Sequence, residues 1–221
     1  MSFAVVLVGG AQPGQHLLDG VRDAELVVAA DGGVRIARTH GLPIHYVVGD
    51  LDSASADDIE WARSNGADID EFSRDKNETD LELALDHADG SGVDRIVAIG
   101  VDGGRLDHEL GNWLALGARR SARVEVRTNG GNATILHAET HPAMSIKGSL
   151  GNIVSLLPRF GDAVGVTTSG LRWELDDATL HAASTRGISN EMIGASATVS
   201  ISGGTLVVVR PSENALANTA D

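Results

Sequence analysis

Residues 26–53 read LVVAADGGVRIARTHGLPIHYVVGDLDS, and this stretch decides the fold. Leu26 to Ala30 and Tyr46 to Val48 are short apolar runs, and each ends on an acidic turn: Asp31-Gly32-Gly33 after the first, Gly49-Asp50-Leu51-Asp52-Ser53 after the second. Runs this short, bounded by Gly and Asp, predict buried strands. Outward from there, Phe3 to Val8, Arg95 to Ile99 and Val124 to Thr128 have the same character, with helical patterns between them. That alternation predicts an α/β domain, a mostly parallel sheet with helices on its faces.

The clearest helix starts at Thr79. Thr79 and Glu82 have capping-box spacing, and Leu81, Ala84, Leu85 and Ala88 fall at i, i+3, i+4 and i+7. A second helix is expected near Arg105, with Leu106, Leu110, Trp113, Leu114 and Gly117 on its buried side and Arg105, His108 and Asn112 as a polar stripe. Trp113 is accordingly a core residue, and Trp61 is expected to pack against the sheet. After Thr128 the pattern changes to strand-sized pieces separated by Gly, Pro, Asn and Asp. The expected domains are therefore residues 1–128, α/β, and 129–221, all-β, with an unstructured tail from Ser212 to Asp221.

The chain has 221 residues, with 17 Lys and Arg against 31 Asp and Glu, a net charge of −14. Residues 1–128 hold 23 acidic and 12 basic side chains, and the rest hold 8 and 5, so the acidity belongs to the α/β half. An acidic surface with two lysines, Lys76 and Lys147, excludes non-specific binding to nucleic acid or to an anionic membrane. No apolar run approaches the roughly 18 to 20 residues of a membrane span, and no basic region precedes Phe3, so a soluble, unprocessed chain is expected. With no cysteine there is no disulfide, thiolate metal site or Cys nucleophile, which is compatible with the reducing cytoplasm.

Position makes the carboxylates informative. Asp31, the Asp50/Asp52 pair and the run Asp75-Lys76-Asn77-Glu78-Thr79-Asp80 all fall at strand ends or helix entries, where open α/β sheets bind ligands. Asp50 and Asp52 are two apart, so in an extended chain both leave one face. Two carboxylates about 4 Å apart repel by roughly 4 kcal/mol at an effective dielectric of 20, and a bound divalent ion relieves that repulsion. Oxygen ligands favour a hard cation such as Mg²⁺, which in turn brings phosphate, with Arg74, Lys76 and Arg105 as further positive charge. Each motif singly also fits a turn, a helix cap or a plain ion pair. The Gly9-Gly10-Ala11-Gln12-Pro13-Gly14 run has neither the lysine nor the spacing of a phosphate or dinucleotide loop, and zinc-helix and nucleophile-elbow motifs are missing.

In order along the chain, Ala30-Asp31-Gly32-Gly33, Gly49-Asp50-Leu51-Asp52-Ser53, Asp75-Lys76-Asn77-Glu78-Thr79-Asp80 and Gly103-Gly104-Arg105-Leu106-Asp107-His108 resemble thiamine pyrophosphokinases. Ser155-Leu156-Leu157-Pro158, Thr167-Thr168-Ser169-Gly170-Leu171-Arg172-Trp173 and Gly187-Ile188-Ser189-Asn190-Glu191 extend the resemblance through the second half. It implies a Rossmann-like α/β ATP-binding catalytic domain, a C-terminal thiamine-binding β-sandwich, and a homodimer with active sites between subunits. The implied reaction moves pyrophosphate from ATP to the thiamine hydroxyl, giving thiamine diphosphate and AMP.

The resemblance also distributes roles among the residues. Asp50, Asp52 and Asp80 are implied Mg²⁺ ligands, and Lys76 and Arg105 join them as catalytic groups. Asp31, Gly32, Lys76, Thr79 and Arg105 are implied in nucleotide binding, and Asp107, His108, Thr168, Trp173, Ser189 and Asn190 in substrate binding. Residue physics alone allows Trp173 to be a sandwich-core side chain; the resemblance assigns it to thiamine. Asn77 stands where the family has Asp, so it is left out of the metal set. Two rival readings are a pyrophosphokinase for another hydroxymethyl heterocycle such as a pterin, and a non-catalytic nucleotide or thiamine-diphosphate sensor.

Overall fold

Valine-rich β1 (Phe3–Val8) lies inside a parallel sheet, between β2 (Leu26–Ala30) and β5 (Arg95–Ile99). β3 (Tyr46–Gly49) and β4 (Asp68–Glu71) continue beyond β2, and β6 (Arg123–Thr128) lies outside β5. The order β6-β5-β1-β2-β3-β4 makes β1 and β5 the topological switch point of a doubly wound sheet. The computed structural model describes residues 1–217, which fall into two units, Met1–Asn129 and a second beginning at Gly130.

Strand alternation divides the first unit's core. Val5 and Leu7 point to one face, where they meet Ile36 and Ala37 of α1 (Val34–His40) and Ile59 and Ala62 of α2 (Ala56–Ser64), with Trp61 packed at the border as expected. Ala4 and Val6 are buried on the opposite side. α3 (Asp80–Gly90) lies against β1, β2 and β3 and buries Leu81, Ala84, Leu85 and Ala88, the four residues its sequence period selects. Its capping box forms: the Glu82 amide donates to Thr79 Oγ1 at 3.2 Å, and Glu82 Oε2 accepts from the Thr79 amide at 2.8 Å.

Two elements of the first unit depart from expectation. α4 (Leu106–Leu116) forms, but Leu106, Leu110 and Leu114 are 71%, 55% and 59% exposed, while Ala115 and Leu116 are buried and Trp113 is half-buried. The expected buried side of this helix is therefore corrected: of its five residues Gly117 alone is buried, because the leucine stripe faces away from the sheet. Buried Arg120 anchors the far end of this helix, donating to the Ala115 carbonyl at 2.8 Å and to Asp86 of α3 at 3.0 Å. The other departure is β4, reading Asp68-Ile69-Asp70-Glu71, which has too few apolar residues to be read as a strand. At the sheet edge it needs only ladder bonds from β3 and one core contact, and Ile69 supplies that contact.

The second unit has β7 (Gly131–His137), β8 (Ala143–Lys147), β9 (Ile153–Pro158), β10 (Ala163–Ser169), β11 (Ala178–Leu180), β12 (Asn190–Glu191), β13 (Ser196–Ser200) and β14 (Thr205–Pro211). They make an antiparallel β12-β9-β14-β7 layer and a four-stranded β11-β10-β13-β8 sheet. Leu136, Leu156, Leu206 and Val208 of the first layer share one core with Ile146, Val166, Leu180 and Val199 of the second, which is a β-sandwich. The tail departs from the expected lack of structure: α5 (Glu213–Ala217) is helical, and residues 218–221 lie outside the described residues.

Leu85 is fully buried in α3, so Leu85→Ala is expected to cost about 2–5 kcal/mol through lost burial and a cavity. Urea unfolding of the variant measures this, and a loss below about 1 kcal/mol would contradict the packing described.

Candidate active site

Parallel strands of one sheet end on the same edge, so the turns after β2, β3 and β5 open along that edge, those after β2 and β3 as neighbours. Asp31 follows β2 with φ +42 and is buried. Its Oδ2 accepts from the Ser53 amide at 3.0 Å and its Oδ1 from the Ala54 amide at 3.1 Å, which fixes where the turn after β3 returns. Burial pushes the Asp31 carboxyl up from its ordinary value; hydrogen bonds from Ser53 pull it back, and the charge of Asp80 adds to the rise.

The turn after β3 is not extended. Leu51 takes φ +61, and the Asp52 amide donates to Asp50 Oδ1 at 3.2 Å. Asp50 and Asp52 still converge, through this turn instead of strand alternation. One oxygen from each of Asp31, Asp50 and Asp52 lies within 4.8 Å of the other two. Ser53 Oγ further orients Asp52, donating to its Oδ1 at 3.1 Å.

Gly49 makes room for a fourth carboxylate. Its φ is +148, and a Cβ there would stand 2.9 Å from Asp80 Cγ and 3.1 Å from Asp31 Cβ. Any side chain would push those two acids apart. The trio that meets is thus Asp31, Asp50 and Asp52, whereas the expected set is Asp50, Asp52 and Asp80; Asp80 pairs with Lys76 Nζ at 2.9 Å. Lys76 also stands 3.9 Å from Asp50, and Arg74 stands 3.3 Å from Asp52 and 3.9 Å from Asp50.

Asp31, Asp50, Asp52 and Asp80 outnumber by two the cations that pair with them, Arg74 and Lys76. An all-oxygen donor set with that surplus suits a hard dication. Gly32 is buried beside the cluster, where a Cβ would come within 3.3 Å of Ser53 Cβ.

Other expected site residues are less directly joined to the trio. Thr79 is committed to its cap, where Oγ1 also donates to Glu82 at 3.0 Å. Arg105 directs a two-pronged bond at Asp107, 3.1 and 2.6 Å, with both side chains exposed. That bond holds the Asp107 carboxyl below the usual range. His108 and Asn77 are exposed.

The sequence reading overlooked Asp102, which follows β5 at the switch point and is half-buried. Burial, and then the charge of Glu109, raise its carboxyl. Asp102-Gly103-Gly104 repeats the Asp31-Gly32-Gly33 pattern after a predicted strand, and that repetition was the available signal. In the Gly9–Gly14 turn, the Gly10 amide donates to the Gly100 carbonyl at 2.9 Å and the Ala11 amide to the Asp102 carbonyl at 2.6 Å. Those two donors are spent on protein and do not form a phosphate cradle.

The second unit carries its own group of expected residues. Trp173 is 54% exposed in the turn after β10, so it is not a core side chain. Buried Asn190 clamps it: Oδ1 accepts from the Trp173 amide at 3.1 Å and the Glu191 amide at 2.9 Å, and Nδ2 donates to the Trp173 carbonyl at 2.7 Å. Ser189 is exposed with φ +60, its amide donating to Ser155 Oγ at 3.0 Å. Thr168 is buried, and its Oγ1 accepts from the Leu175 amide at 2.8 Å.

Comparison with known proteins adds to this geometry. Residues 18–127 match the family described as thiamin pyrophosphokinase, catalytic domain, and residues 138–206 match thiamin pyrophosphokinase, vitamin B1 binding domain. Thiamine pyrophosphokinase of Bacillus subtilis is 26% identical over 195 residues, spanning 85% of this chain and 88% of that protein. Its crystal structure superposes with a TM-score of 0.80 at 25% identity, over 96% of this chain and all of the other. Thiamine pyrophosphokinase 1 of Oryza sativa is 31% identical over 144 residues, which cover 61% of this chain and about half, 53%, of the rice protein. A catalytic-domain match over the acidic sheet edge and a vitamin-binding match over the sandwich, in that order, mean that the chain belongs to the thiamine pyrophosphokinase family.

Proposed function

We propose that the protein transfers the terminal pyrophosphate of ATP to the hydroxyl of thiamine, giving thiamine diphosphate and AMP. The observation that carries this reading is the carboxylate trio beside Lys76 and Arg74, in a chain whose family acts on thiamine. The thiamine oxygen attacks the β-phosphorus in line with the departing AMP; the new O–P bond forms as the bond to the α-phosphate oxygen breaks, and the alcohol proton is released. Such transfers are driven mainly by positioning and by neutralising phosphoryl charge.

Asp31, Asp50 and Asp52, with Asp80 beside them, would hold Mg²⁺, whose chemistry here is to neutralise phosphate oxygens. Lys76 stabilises negative charge as it moves toward AMP, and its contacts to Asp80 and Asp50 aim it at the cluster. Arg105 and Asp107 form an exposed pair that a polyphosphate can open by competing for the guanidinium. In the second unit, the half-exposed Trp173 offers an aromatic face to the thiamine cation. Asn190 supports that face through the Trp173 backbone, and Ser189 stands exposed on the preceding turn. The units divide the work, with ATP on the first and thiamine on the second.

Two further parts of the reading concern context. The exposed Leu106, Leu110 and Leu114 stripe at i, i+4 and i+8 is an apolar surface of the kind that marks an interface, and it supports a homodimer. No described helix is long and apolar enough to cross a membrane, and the absence of cysteine suits the cytoplasm.

Incubation with ATP, Mg²⁺ and thiamine should yield AMP and thiamine diphosphate by mass analysis; AMP with hydroxymethylpterin and none with thiamine would overturn the substrate. Asp50→Asn is expected to lower kcat by at least about 100-fold, on the scale of losing one electrostatic stabiliser. Mg²⁺ should raise the melting temperature of the parent protein through mass action and leave that of an Asp50→Asn/Asp52→Asn variant unmoved. Trp173→Ala should raise KM for thiamine far more than KM for ATP in steady-state kinetics. Leu110→Asp should shift the protein to a monomer in sedimentation velocity while its circular dichroism is retained.

A further inference from the structure

A half-exposed tryptophan is not fixed by a core, so something else must set the direction its ring faces. The backbone around Trp173 is pinned by residues 190 and 191: Asn190 holds both its amide and its carbonyl, and the Arg172 amide donates to the Glu191 carbonyl at 2.8 Å. The ring itself is covered on one side by Arg172, whose guanidinium carbon lies 4.8 Å from the indole centroid. Arg172 in turn is held by Glu191, Nη1 to Oε2 at 3.0 Å.

We propose that Arg172, anchored by Glu191, is a positioning residue that presets the Trp173 indole so that its uncovered face receives the flat cationic substrate. This rests on the thiamine role given to Trp173 above. Both faces of an indole carry negative quadrupole density, so a guanidinium on one leaves the other available to a second cation. The difficulty is repulsion between two cations on opposite sides of one ring. Glu191 answers it, because its carboxylate offsets the guanidinium charge while the stack is kept. Arg172 contributes by removing rotamer freedom from the indole before the substrate arrives, and Glu191 contributes by keeping the pair neutral.

Steady-state kinetics on the full chain tests this. Arg172→Ala should raise KM for thiamine about three- to tenfold, the scale of ordering one large side chain, with kcat, KM for ATP and melting temperature unchanged. Arg172→Lys should recover only part of the loss, since an ammonium can still lie over the indole and pair with Glu191 but lacks the planar stack that fixes the ring. Glu191→Gln keeps the hydrogen-bond acceptor and removes the charge; it should raise KM for thiamine in a way that shrinks as salt is added. In a Trp173→Ala background, Arg172→Ala should add nothing. If it adds its full effect there, or if Arg172→Ala lowers KM for thiamine, the positioning role is overturned while the thiamine role of Trp173 stands. If Trp173→Ala alone leaves KM for thiamine unchanged, the stacking role fails, and this proposal fails with it.

Discussion

Repulsion among carboxylates is the constraint around which the first unit is arranged. Four acids at one sheet edge stay together because the backbone and two cations hold them there. Asp31 and Leu51 take left-handed backbone angles that such residues rarely adopt, and Gly49 gives up its side chain so that Asp31 and Asp80 can close over it. Amides from Ser53 and Ala54 bind Asp31, and Lys76 and Arg74 reach in from the segment that leads to α3. The strain and the counter-charges are intelligible together, as the means of keeping four acids close at one sheet edge.

The scaffold behind the site is unstrained by comparison. Asp80 is the first residue of α3, where the helix dipole favours a carboxylate, and the Thr79–Glu82 cap satisfies the amides that would otherwise compete for it. The same helix buries four apolar residues against β1 to β3, so the charged edge and the hydrophobic core are joined through one rigid element. The second unit solves a different problem. An aromatic ring kept half-open to solvent needs support from its neighbours, and the polar side chains on residues 172, 190 and 191 provide it.

Much of this was legible in the sequence wherever the determining interactions are local. The parallel strands, the α3 cap and the switch to an antiparallel sandwich each follow from short-range patterns of apolar, capping and turn residues. The composition of the carboxylate trio was not legible, because it depends on a tight turn at Leu51 and on amide donors from the following residues. Nor was the exposure of α4: a leucine stripe states that a face is apolar and is silent about whether the sheet buries it. β4 was missed because an edge strand can be acidic and still pair. The exposure of Trp173 came from family resemblance alone, since no local rule separates a core tryptophan from a presented one.

β4 also limits how copies of this chain can meet. A sheet margin is a row of unsatisfied donors and acceptors that can recruit another strand, and uncontrolled recruitment leads to fibrils. Here that margin spells aspartate, isoleucine, aspartate, glutamate, so a second copy laid alongside would set like charges against one another. Lengthening the sheet laterally through this strand is thereby penalised.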